Sequence, residues 1–285
     1  MPRASIVVVV VITLLLSACS TQFGYRFADT LIEWKLNDYV SLNSQQEQSV
    51  DQAITTLHQW HATSELPYYA QQLQTLRDKI ASNTLTETDL VATYEQFFIA
   101  WQRMLNAVEP HAQEMLPQLS DEQIIELIEN LREKQREEEE ELLEYSDSER
   151  SKRLIRRAEK NTRSWLGQVT KVQQRLINRW VVERLDTREL WLDYNQRWLN
   201  EFEKALQQRQ QPEQFNNYLQ QLFYNPEQWR SEELRSRVEH NQQLTLVLFY
   251  QLSETLTDRQ RRRIVDKLDG YIEDMNEIAE DFSKR

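Results

Sequence analysis

A single cysteine, Cys19, occurs in 285 residues, so no disulfide can form within the chain and no paired-cysteine metal motif exists. Glycine is almost absent, at positions 24, 167 and 270 only. That scarcity removes the material for phosphate-cradling loops and disfavours sheets rich in tight turns, which need residues tolerant of positive φ. No G-x-S-x-G or H-E-x-x-H pattern is present. Basic residues are the minority, 34 against 46 acidic, for a formal charge of −12. A body of that sign is repelled by phosphate backbones and anionic lipid heads, which argues against nucleic acid and against an electrostatic membrane grip. The longest mainly apolar stretch, Ile6–Leu16, interrupted only by Thr13, would extend ~16 Å as a helix, about half of a ~30 Å hydrocarbon core.

That run has another meaning. Arg3 supplies a positive start, Ile6–Leu16 an apolar stretch, and Ser17 and Ala18 the small residues that a signal peptidase requires. Leu16-Ser17-Ala18-Cys19 resembles the lipobox of bacterial lipoproteins, which implies cleavage after Ala18 and lipid on Cys19. Residues 1–18 are then a signal peptide and 19–24 a lipidated terminus with a short tether. Two or more acyl chains on one cysteine anchor a protein stably. Ser20, in place of aspartate, implies by the same resemblance the periplasmic face of the outer membrane. The covalent lipid is the only non-protein group expected, with no cofactor.

What the chain does have is helix. Eight Trp, eleven Tyr and nine Phe promise a core, and abundant Gln, Glu, Leu and Arg favour helix. The expected fold class is all-α: about nine helices in one bundle domain over 25–285. The helices fall at 25–40, 45–62, 65–82, 87–116, 121–145, 149–185, 188–209, 212–254 and 258–283. Reciprocal capping pairs mark their starts: Ser44 with Glu47, Ser120 with Gln123, Asp186 with Glu189, Thr257 with Gln260, and a weaker Thr86 with Asp89. Asn225-Pro226 places a cap before a first-turn proline. Apolar residues Ile264, Leu268, Tyr271, Met275, Ile278 and Phe282 form a core-facing stripe. Trp191, Tyr194, Trp198 and Phe202 form another, which reads as core before it reads as a ligand groove. Apart from the capped starts, no internal repeat is visible.

Arg132–Glu141 (REKQREEEEE) holds no apolar residue and is followed by a basic stretch from Arg150 to Arg163. Folding at Ser146-Asp147-Ser148 would make 121–185 a long antiparallel hairpin, setting Glu144 against Arg150, Glu141 against Arg153 and Glu137 against Arg157. A continuous, locally self-paired helix is the alternative.

Only one constellation hints at a metal. HQWHATSE places His58, His61 and Glu65 on one helical face, with donor types suited to zinc. Ser64 and Pro67 argue that a new helix begins there and carries Glu65 away. No catalytic residue is assigned.

YRFADTLIEWKLNDYVSL (25–42), WHATSELPYYAQQL (60–73) and LTDRQRRRIVDKLDGYIEDM (256–275) resemble a family of uncharacterised Gram-negative lipoproteins. The resemblance implies a lipid-anchored helical periplasmic domain over essentially the whole mature chain, and no activity. Leu256-Thr257-x-x-Gln260 and Leu119-Ser120-x-x-Gln123 are also similar to elements of small helical periplasmic stress chaperones. The expectation is therefore a non-enzymatic scaffold or chaperone-like protein, membrane-held through Cys19 and partnered by envelope proteins. The alternatives are a metal-dependent envelope hydrolase using His58, His61 and Glu65, and a small-ligand-binding lipoprotein.

Overall fold

The computed structural model describes residues 21–284, and Ala18 and Cys19 lie outside that range. Twelve α-helices and no strand are found among the described residues: α1 (Thr21–Arg26), α2 (Ala28–Asn37), α3 (Ser44–Trp60), α4 (Leu66–Ala81), α5 (Glu87–Met115), α6 (Asp121–Leu143), α7 (Asp147–Leu166), α8 (Lys171–Glu183), α9 (Arg188–Gln207), α10 (Pro212–Tyr224), α11 (Glu232–Glu254) and α12 (Asp258–Ser283). The fold is all-α.

The chain divides into two compact units, each discontinuous in sequence. The first takes in residues up to 61, 100–142 and 187–235; the second takes in 62–99, 143–186 and 236–285. In the first, Ile124 and Ile128 of α6, Leu199 and Leu206 of α9, and Phe215, Leu219 and Leu222 of α10 share one buried cluster. In the second, α4 runs along α12, and Ile80, Leu166, Ile264 and Leu268 are buried together. Arg77 of α4 grips Asp269 of α12 with two parallel hydrogen bonds, Nε to Oδ1 at 2.8 Å and Nη2 to Oδ2 at 3.0 Å.

Each unit is pinned at a junction of two capped helix starts. In the first unit Asn43 caps α3 with Gln46, and Ser120 caps α6 with Gln123. The two glutamine amides donate to each other's oxygen, at 3.0 and 2.7 Å. In the second unit Thr170 caps α8 with Gln173, and Thr257 caps α12 with Gln260. Those amides also exchange hydrogen bonds, both at 3.0 Å. The remaining amide hydrogens go to the carbonyls of Gln118, Ser41, Thr255 and Gln168, in every case two residues before the partner's cap. Every donor and acceptor of each amide is thereby used. This repeated motif is the internal relationship that the sequence reading did not find.

Several helix limits differ from expectation for local reasons. The α3 cap is Asn43 with Gln46, one residue before the expected pair. The span 149–185 is two helices, because Gly167 adopts φ +79° and Thr170 caps a fresh start. Thr187 precedes α9 without a side-chain cap. Asn225-Pro226 yields only a 3₁₀ turn, Pro226–Trp229, and α11 starts after Ser231, whose Oγ accepts from Leu234 N at 3.1 Å. Helix also starts earlier than expected, at Thr21 in α1.

The charged region breaks where expected, with Ser146 and Glu149 forming a capping box. The two arms fall in different units. Glu137, expected opposite Arg157, is bonded to Lys134 of its own helix at 2.6 Å, and Arg150, expected opposite Glu144, to Asp147. Arg136 pairs with Glu133 in the same manner. Each of these three ion pairs lies within a single helix.

Candidate functional site

His58 and His61 stand at the C-terminal end of α3, where α1 docks. Tyr25 Oη lies 2.8 Å from His61 Nδ1, with the two rings stacked at 5.9 Å between centroids. The His58 ring is 4.7 Å from the same tyrosine, and its Nδ1 is 3.8 Å from Asp29 Oδ2 of α2. The two histidine rings thus pack against Tyr25 of α1, and His58 also meets Asp29 of α2.

Glu65 belongs to the other unit. The break expected before Pro67 takes a different form: α3 passes through one π-helical turn, His61–Glu65, into α4. Proline lacks the N–H that would bond the carbonyl four residues back, and a widened turn accommodates the missing donor. Glu65 is fully buried there, and it has an interaction partner, as do His58 and His61. Among the described residues no group of three or more His, Cys, Asp or Glu side chains is placed to hold a metal ion.

The aromatic stripe of α9 is core. Trp191 and Tyr194 are buried, with the Arg230 guanidinium over both rings at 5.2 and 5.8 Å, while Trp198 and Phe202 pack on the first unit's cluster. Another face of α9 borders an open groove of about 460 Å³, lined by Arg197, Asn200, Glu203, Lys204 and Trp229 among others. Its charges are already matched: Lys204 with Glu201, Arg197 with Asp193, and Glu203 with Arg132.

Apolar surface is the more distinctive feature. None of the 29 residues of α5 is buried. In its first half Phe97, Phe98 and Ile99 are consecutive and 36%, 46% and 44% exposed, and Val91 is 40% exposed. The Phe98 ring meets Tyr94 edge-on at 4.8 Å and Phe97 at 5.8 Å, so the rings form one aromatic surface. A run of three exposed apolar residues is unfavourable in water unless something uses it. Helical periodicity pointed to the α9 stripe instead; the Phe-Phe-Ile triplet itself was the available signal for this one.

The family of unknown function DUF6279 matches residues 38–235, more than half of the chain. The chain belongs to this family. The DUF6279 match opens just before α3 and closes early in α11, so it includes the Phe97–Ile99 surface and the first unit's glutamine junction. Residues 256–275, one of the segments resembling the lipoprotein family, lie beyond it. No curated protein and no solved structure matches the chain. No helix among the described residues is long and apolar enough to cross a membrane.

Proposed function

We propose that this DUF6279 protein is a lipoprotein of the outer membrane's periplasmic face, acting without catalysis as a chaperone-like interaction protein for envelope polypeptides. The observation that carries the reading is the exposed Phe97-Phe98-Ile99 run. Such a surface loses unfavourable hydration when it covers the apolar segment of an unfolded chain. The high negative charge keeps the carrier itself dispersed. The lipobox-like sequence ending in Cys19 supports the anchor, and the family membership is compatible with any activity.

The test is suppression of aggregation of a chemically unfolded envelope protein by the purified chain. Protection should fall severalfold in Phe97→Ser/Phe98→Ser, while helix content and unfolding midpoint are retained. Equal protection by the variant, or none by the parent, would remove this reading. The anchor is tested separately: Cys19→Ser should abolish incorporation of labelled fatty acid and flotation with membranes.

A further inference from the structure

Helix α2 meets the protein through its acids and leaves its large apolar residues in solvent. Its acids turn inward: Asp29 reaches the His58 imidazole of α3, and Glu33 lies close enough to Asp51 of α3 and to Asp29 for their charges to bear on it. Burial, with those two like charges, raises the Glu33 carboxyl above its ordinary value. The apolar residues turn outward. Leu31 and Trp34, one helical turn apart, are 46% and 71% exposed, and Ile32 and Leu36, a second such pair, are exposed as well. A helix free to choose would bury the opposite face. α2 contributes no buried residue at all.

The position of this helix says what covers it. Cys19 is two residues before α1, a span of at most ~7 Å of extended chain. The six residues of α1 add ~9 Å, and α2 follows after Phe27. A lipid on Cys19 therefore holds α2 within a few tens of ångströms of the bilayer surface at all times. Leu31 and Trp34, on one exposed face of a short helix, suit the headgroup–acyl boundary, where indole rings concentrate.

We infer that the outward face of α2, centred on Leu31 and Trp34, inserts into the lipid surface as a second membrane contact beside the acylated cysteine. This rests on the anchoring part of the proposed function. One lipid point leaves a body free to swivel; a second, structured contact fixes which side of the first unit faces the bilayer.

The experiment separates the contact from the biological anchor. The chain from Cys19 onward is coupled through its only thiol to a maleimide-bearing lipid in vesicles of phosphatidylethanolamine and phosphatidylglycerol, with acyl chains brominated or plain. Brominated lipid should quench part of the tryptophan fluorescence, and that part should be lost in Trp34→Phe. Amides of residues 30–37 should exchange several-fold more slowly on vesicles than in solution, and Leu31→Ser/Trp34→Ser should abolish the difference. Identical quenching in the parent and Trp34→Phe overturns the contact. So does shielding of Trp34 that depends on protein concentration without vesicles, which would make this face an interface between two copies. Because the tether is chemical, failure of cells to acylate Cys19 would remove the anchor reading while leaving this measurement intact.

Discussion

Gln173 and Gln260, 87 positions apart, each donate a side-chain amide hydrogen to the other's oxygen at 3.0 Å. Each also accepts from the backbone N–H of its own cap, Thr170 at 2.9 Å and Thr257 at 3.0 Å. Two helix starts therefore share one buried amide pair. Two positive helix ends brought together repel, and the reciprocal amide hydrogen bonds oppose that repulsion.

Gln173→Leu should lower stability by roughly 1–3 kcal/mol, because it leaves the Gln260 amide and the Thr255 carbonyl without their partner in a dry site. The matching change in the first unit, Gln123→Leu, should cost less, since Gln123 is half-buried whereas Gln173 is fully buried. Urea unfolding of both variants checks the order.

Much of the all-α fold was readable from Thr257, Gln260, Ser120 and Gln123, whose capping pattern is a local property. What those glutamines do beyond their own helix was not readable. A capping box has the same spacing whether its amide faces water or another amide. At α3, Asn43 and Ser44 are both good caps and Gln46 and Glu47 both good acceptors; the partner at Gln123, remote in sequence, selects the first pair. The break at Gly167 lay hidden in a long charged pattern, although Thr170 and Gln173 obey the rule already in use. Which face of α2 meets the protein was illegible for a different reason. Periodicity shows that a helix has two faces, while docking against Asp51 and His58 decides which is covered. Similarly, helical spacing placed His58 and His61 together, and the presence of Tyr25 beside them emerged only from the fold.

Two of the three glycines give a paired prediction. Gly270 is mid-helix in α12 with open space where a Cβ would stand, so Gly270→Ala should stabilise by about 0.5–1 kcal/mol. Gly167 holds φ +79°, which a side chain resists even though the nearest atom is 3.5 Å away. Gly167→Ala should destabilise by about 1 kcal/mol. Thermal unfolding of the two variants should shift in opposite directions.

Tyr224 donates its phenolic proton to Glu109 Oε2 at 2.6 Å, and burial, reinforced by that carboxylate, pushes its pKa up to about 12 from 10.0. The unfolded chain releases this proton first, so the tyrosine's contribution is complete below pH ~10 and is lost as pH rises towards 12. A spectrophotometric titration should show Tyr224 among several late-ionising tyrosines, with Tyr145, Tyr194 and Tyr271 also above the ordinary value, and Glu109→Gln should move only the Tyr224 component to lower pH.

Acid works on other groups. The Ser41 hydroxyl and backbone N–H hold the Glu126 carboxyl below 4.5, and the Thr86 hydroxyl and backbone do the same for Asp89 below 3.8. Their folded-state pKa values are depressed, so their support is full above the ordinary carboxylate value and disappears as pH falls through the folded one. Thr86→Ala should raise the Asp89 pKa towards 3.8 in a carboxyl NMR titration, with Glu126 unchanged.

The shared amide pair also alters how the helices come undone. An ordinary helix start frays alone, in its own time, because its cap answers only to its own first turn. Here the cap of α8 cannot release Gln173 without stripping a partner from Gln260, so α8 and α12 open as one event. The same holds for α3 and α6 through Gln46 and Gln123. Four helix starts are thus joined as two coupled pairs, each through an amide exchange between residues far apart in the chain.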